Sequence, residues 1–358
     1  MPYVSTVNPL DNQVSWKTLA AYARAVHDFT KTARPALPRS SFDLITAVDM
    51  TEVPRSQMFC ASDGGHIGFR FYRAATSQRI VVLIHGSGGF GDQLHGMAAR
   101  LAHNDLASVY TLNMRGHGLS GGARGHAVAY PGQLVNDIGE FIAHLREAKP
   151  EAKIILGGHS AGGGLVLAVA RSRIDADISG YAFLAPFLGL GSRVNKPHFG
   201  GWVKLRGLAL RAITLANALG IKRFNNTTVV DFNVAASGGD KRYCPTWSYN
   251  TMLAFGPGRW TEDAPPIPAE KPVLVLAGTK DDCFVQPLYR GAFDVIAPHA
   301  EIPDIGSGGH WDVMVSPSAV AAFGDWLADQ ALTELVQLVG RPAEAAPLTD
   351  QQGLKVAL

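Results

Sequence analysis

The seven residues Gly157-Gly158-His159-Ser160-Ala161-Gly162-Gly163 constrain this chain most, because they stand between the apolar run Lys153 to Leu156 and the helix-like run Leu165 to Ala170. A strand that becomes a helix over so few residues must turn sharply and bring two backbones close together. Glycine meets both needs, since it lacks a Cβ and tolerates positive φ. The pattern Gly158-x-Ser160-x-Gly162 sets a serine at the tip of such a turn, at the carboxyl end of a strand and beside a helix N-terminus. There its backbone is strained and its hydroxyl is exposed as a nucleophile.

The flanking sequence alternates in the same way. Gln57 to Ala61 and His66 to Arg73 bracket Ser62-Asp63-Gly64-Gly65 and predict a hairpin. Strands follow at Ile80 to Ile84, Ala107 to Asn113, Ile154 to Leu156 and Tyr181 to Leu184, separated by helices near Gln93 to Ala102, Leu134 to Ala148 and after Ser160. Such repeats imply right-handed crossovers, hence an α/β fold: a mostly parallel sheet with helices on both faces. After Pro186 the rhythm stops. A helix-like run from Trp202 to Leu219 and a Pro-rich exit at Pro265-Pro266-Ile267-Pro268 precede its return at Val273 to Leu276, Ala300 to Ile305 and a closing helix from Ser318 to Val339. The expected organisation is an N-terminal helical extension (1–50, with Trp16, Leu19, Ala20, Ala23 and Val26 at helical spacing after Ser15), an α/β core (51–185 and 272–340), an inserted cap (186–271) and a mobile tail (341–358).

Composition narrows the function classes. With 32 Lys plus Arg against 30 Asp plus Glu, the chain offers no electrostatic case for a nucleic-acid partner. Cys60, Cys244 and Cys283 lie far apart without metal-ligand spacing, which predicts reduced thiols, no zinc site and no disulfide framework. The first ten residues lack the basic and apolar regions of a leader, and the apolar run Ile154 to Ala170 is interrupted by glycines, Ser160 and His159. A cytoplasmic protein without a membrane span is expected.

A serine nucleophile needs a base, and the base an orienting acid. In elbow-type hydrolases these follow in the order serine, acid, histidine. Asp281 and Asp282 follow the Val273 to Leu276 strand, and His310 lies in the loop Gly306-Ser307-Gly308-Gly309-His310-Trp311. Both segments sit where strand ends meet loops, so His310 is the candidate base and one of the aspartates its orienter. The loop His85-Gly86-Ser87-Gly88-Gly89 supplies the fourth part: the backbone N–H groups of Ser87 and Ala161 are the candidate oxyanion donors. Gly86-x-Gly88-x-x-Gly91 also matches a dinucleotide fingerprint, but the acidic residue expected near the end of the next strand is missing from Tyr110 to Asn113.

These segments resemble the α/β-hydrolase superfamily, and within it the monoacylglycerol lipase and lysophospholipase-like branch, also grouped with serine aminopeptidases. Asn113-Met114-Arg115-Gly116-His117-Gly118-Leu119-Ser120 is similar to that branch's D-x-R-G-H-G-x-S segment, with Asn113 in place of aspartate and Ala161 in place of the usual methionine. The resemblance implies a triad of Ser160, Asp281 and His310, Asp281 being favoured by its spacing from Gly278. It also implies oxyanion donors at Ser87 and Ala161, no cofactor and no metal. The expected activity is hydrolysis of carboxylic esters such as monoacylglycerols, lysophospholipids or similar small esters. Amide or peptide hydrolysis, or acyl transfer on the same triad, is the alternative; a non-catalytic binding protein of the same fold is the third reading. The Trp202 to Leu219 run, with Lys204, Arg206 and Arg211, reads either as a helix packed on the core or as the wall of an acyl-chain channel with brief contact to a lipid surface.

Overall fold

The computed structural model describes residues 16–258 and 265–339. A seven-stranded sheet carries the architecture. Its strands are β1 (Gln57–Cys60), β2 (His66–Tyr72), β3 (Arg79–Ile84), β4 (Ser108–Leu112), β5 (Lys153–His159), β6 (Gly180–Leu184) and β10 (Val273–Leu276), in spatial order β1-β2-β4-β3-β5-β6-β10. The β1–β2 hairpin joins β4 antiparallel, and every pair from β4 to β10 is parallel. The central strands read as continuous apolar runs because both faces are covered. All six residues of β3 are buried; removing one such aliphatic side chain from water contributes about 1.5–3 kcal/mol.

Helices α3 (His95–His103), α4 (Gln133–Ala148), α5 (Ala161–Val169), α8 (Leu288–Ile296) and α9 (Pro317–Val339) belong to this α/β unit. At the amino end lie α1 (Trp16–Lys31) and the short α2 (Asp43–Thr46). The cap residue Ser15 expected for the first helix, and the tail after 340, lie outside the described residues.

Between β6 and β10 the chain forms a second, three-stranded antiparallel sheet of β7 (Val203–Leu205), β8 (Thr228–Phe232) and β9 (Thr246–Ser248), with α6 (Gly207–Ala218) and α7 (Tyr249–Ala254). The expected helix from Trp202 therefore begins only at Gly207. Val203, Lys204 and Leu205 alternate buried, exposed and buried, the period of a strand rather than a helix. A second difference falls at Ala300 to Ile305, where the chain makes only a single parallel bridge from Glu301 to Leu274. Pro303 has no N–H to continue a ladder.

Candidate active site

The turn after β5 is as tight as its glycines demand. Ser160 has φ 52° and ψ −117°, a conformation that costs a non-glycine residue of the order of 1–3 kcal/mol and persists only where the surroundings impose it. They do so by close packing. A Cβ on Gly158 would collide with the backbone of Gly162, and one on Gly162 would lie 2.5 Å from the carbonyl oxygen of His85 and 2.6 Å from that of Ile84. Ser160 N–H donates to Leu184 O at 2.9 Å, and Ser160 O accepts from Phe187 N–H at 2.8 Å, which ties the turn to the end of β6.

Asp281 and His310 meet directly. His310 Nδ1–H donates to Asp281 Oδ2 at 2.9 Å, and both residues are buried. Asp281 Oδ1 accepts the backbone N–H groups of Cys283 at 2.7 Å and Phe284 at 2.8 Å, so the carboxylate is fixed before the imidazole reaches it. Asp282 does not share this bond and is partly exposed. Asp281 leaves the other imidazole nitrogen, Nε2, unengaged. Ser160 reaches the same corner through its neighbour: His159 Nε2–H donates to the carbonyl of His310 at 3.0 Å, and the two rings lie 4.6 Å apart. Among the described residues no hydrogen bond joins Ser160 Oγ to His310. Cys283, two residues beyond Asp281, is buried, and burial with the nearby Asp281 charge pushes its pKa well above the ordinary range, which leaves the thiol protonated and unreactive.

The loop after β3 faces this corner. A Cβ on Gly86 would stand 3.0 Å from Ser160 Cβ and 2.8 Å from His159 Nδ1, so only glycine lets the Ser87 peptide approach. The Gly86 carbonyl accepts from His85 Nδ1–H at 2.8 Å and from Gly89 N–H at 3.0 Å. In a trans peptide the following N–H points the opposite way, so these two bonds set the direction of the Ser87 N–H. His85 thus orients the Gly86–Ser87 peptide, a contact that the sequence offered only as part of a Gly-rich loop. Its own Nε2 accepts from Met114 N–H at 3.1 Å, which fixes the tautomer. The dinucleotide fingerprint finds another use here: Gly91 N–H donates to Asn113 Oδ1 at 2.8 Å while Asn113 Nδ2 donates to Gly68 O at 3.3 Å. An amide meets both needs, so the absence of the expected aspartate leaves nothing unpaired. Arg115, in the same loop, pairs with Asp137 and Asp63 at 2.7 Å and serves structure.

Three histidines around the site are held neutral. Burial pushes His85 down to about 4, and burial with neighbouring imidazoles pushes His117 and His159 well below their ordinary 6.5. A folded-state pKa below the unfolded value means that the unfolded chain takes up protons the folded chain refuses. The stabilisation is complete above pH 6.5 and is lost as pH falls towards 4. For His85 alone the loss between pH 7 and pH 5 is roughly 2 kcal/mol. Thermal melts should show Tm flat above pH 7 and falling steadily from 6.5 to 4; a Tm unchanged down to pH 5 would contradict neutral burial.

Residues 75–293 match the family model described as serine aminopeptidase, S33. A monoacylglycerol lipase of Mycolicibacterium smegmatis is 34% identical over 128 residues, covering 33% of this chain and 42% of that protein, so the match spans less than half of the relative's length. A soluble variant of monoglyceride lipase from Saccharomyces cerevisiae, solved with a substrate analogue, superposes with a TM-score of 0.63 at 21% identity, covering 78% of this chain and 96% of that one. A Paleococcus ferrophilus monoacylglycerol lipase gives 0.51 at 21%, covering 76% and 99%. At these identities the two structures show a shared fold, that of the α/β-hydrolases.

Proposed function

We propose, from the premise that the chain belongs to the serine aminopeptidase S33 family of α/β-hydrolases, that it cleaves carboxylic esters through an acyl-enzyme on Ser160. The observation that carries this reading is Ser160 on a strained elbow beside a buried Asp281–His310 pair. Ser160 Oγ attacks the ester carbonyl carbon, and its proton passes to His310 Nε2. Asp281 holds the opposite N–H and stabilises the imidazolium. The carbonyl oxygen, now negative, accepts hydrogen bonds from the N–H groups of Ser87 and Ala161. The C–O bond then breaks, and His310 returns the proton to the departing alcohol. Water repeats the sequence on the acyl-serine with the same base. The Ser160–His310 contact is made when substrate enters, since catalytic hydrogen bonds are commonly long before it does.

Residues 186–271 are assigned as the cap and supply the support for a lipid-like ester. The outer side of α6 and the turn beyond it expose Leu208, Leu215, Leu219, Ile221 and Phe224, bordered by Lys222 and Arg223. An apolar patch with a basic rim suits transient contact with an anionic lipid surface, from which a monoacyl substrate would enter. Among the described residues no helix is long and apolar enough to cross a membrane. The names of the relatives support the same substrate class.

The test is a panel of monoacylglycerols, lysophospholipids, nitrophenyl esters of increasing chain length and aminoacyl anilides. Monoacyl esters should be turned over and long acyl chains retained as substrates. Activity that falls steadily beyond short acyl groups argues against a lipid substrate, and faster turnover of the anilides favours the peptidase reading that the family description carries.

A further inference from the structure

Two successive carbonyls of the loop after β3 are pinned from residues 186–271. Gly86 O is held within the loop itself, as described above. The next carbonyl, Ser87 O, accepts from the indole Nε1–H of Trp202 at 3.3 Å, and the same N–H reaches Ser87 Oγ at 3.0 Å. Gly88 O accepts from Cys244 N–H at 2.7 Å. Trp202 is buried, and its ring stacks on Phe232 at 5.6 Å with Trp311, the neighbour of His310, also 5.6 Å away.

Trp202 reaches this position by an unusual backbone. His198, Phe199, Gly200 and Gly201 have φ of 50°, 47°, 60° and 94°, four consecutive residues in the left-handed region, two of which are not glycine. Such a turn survives only where it is over-determined, and the amino-terminal segment braces it. Arg34 Nε–H donates to Gly201 O at 2.9 Å and Arg34 Nη2–H to Trp202 O at 3.2 Å, while the His198 Nε2–H donates to Thr32 O at 2.7 Å. Phe42 covers the far side, 5.8 Å from the Trp202 ring and 4.1 Å from that of Trp311.

We propose that Trp202 is a positioning residue for the oxyanion hole: its indole N–H anchors Ser87, the residue whose own N–H is the donor, through the Ser87 hydroxyl and the carbonyl that follows it, and the Arg34-braced left-handed turn holds the indole in place. The inference rests on the reading of Ser160 as nucleophile and Ser87 N–H as oxyanion donor. Losing a donor outright costs roughly 10²- to 10³-fold in rate. Losing a bond that only orients the donor should cost less, about 10-fold, and only in the transition state.

The experiment compares wild type, Trp202→Phe and Arg34→Gln, each normalised to the sites that react with a fluorophosphonate. Trp202→Phe keeps an aromatic ring against Phe232 and removes the N–H. It should lower kcat for a nitrophenyl ester about 10-fold with KM within about twofold, and weaken a trifluoromethyl ketone, whose hemiketal oxygen occupies the hole, by the same factor as kcat/KM. Arg34→Gln should move kcat and ketone affinity together in the same direction by a smaller factor, and it decides the matter if Trp202→Phe does not fold. Changes in Tm with kcat and ketone affinity unchanged would overturn the inference and leave Trp202 a packing residue. Wild type that fails to take the fluorophosphonate would instead overturn the assignment of Ser160.

Discussion

Ser160→Ala in the full chain is expected to lower kcat for an activated ester by roughly 10⁶-fold, the scale seen when a serine nucleophile is removed, and to abolish fluorophosphonate labelling. The substitution is a clean one. Alanine keeps the Cβ that the turn already tolerates at φ 52°, and the bonds that tie the turn to Leu184 and Phe187 are made by the backbone. Tm should therefore stay near that of wild type, and any loss belongs to the hydroxyl. Turnover unchanged in Ser160→Ala, with the protein folded, would leave the Asp281–His310 pair without a nucleophile and end the acyl-enzyme reading.

The features that sequence reading reached were those written in local rules. An apolar run, a glycine pair and a helix signal determine that Ser160 sits on an elbow, because the close approach of Gly158 to Gly162 is a contact four residues apart. The parallel strands were legible for the same reason: burial on both faces leaves uninterrupted aliphatic runs such as Ile80 to Ile84. The sheet of β7, β8 and β9 was not. Two of its strands have three residues each, too short to stand out without knowing which side chains are buried, and the Trp202–Leu205 stretch runs almost directly into a real helix. Ala300 to Ile305 failed in the opposite sense, since alternating apolar residues suggested a strand that Pro303 cuts to a single bridge.

What stayed hidden was long-range. The bond from Trp202 to Ser87 spans 115 positions, and no spacing rule connects an indole in one segment with a peptide in another. The same holds for His85, whose role follows from the direction of one carbonyl. The brace from Arg34 lies in an extension that looked separate from the site; the left-handed turn it supports includes His198 and Phe199, residues with no local reason to adopt positive φ.

The choice between the two adjacent aspartates turns on geometry of this kind and gives the second large expected effect. Asp281→Asn should lower kcat by roughly 10⁴-fold, whereas Asp282→Asn should change it by a few-fold at most. Asp281 uses both oxygens: Oδ1 accepts from two backbone N–H groups, and Oδ2 accepts from His310 Nδ1. An asparagine has one oxygen, and the backbone donors of Cys283 and Phe284, which cannot move away, claim it. Its NH₂ then faces His310 Nδ1 and favours the tautomer with the proton on Nε2, the nitrogen that must receive the proton of Ser160. The ring is held in place but cannot act as a base, so kcat falls while the fold and the binding of substrate persist. Proton NMR provides an independent readout, because the Nδ1–H resonance shifted downfield by the buried carboxylate should vanish in Asp281→Asn and remain in Asp282→Asn. A larger loss in Asp282→Asn, or near-normal turnover in Asp281→Asn, would show that the buried pair orients the loop rather than the base.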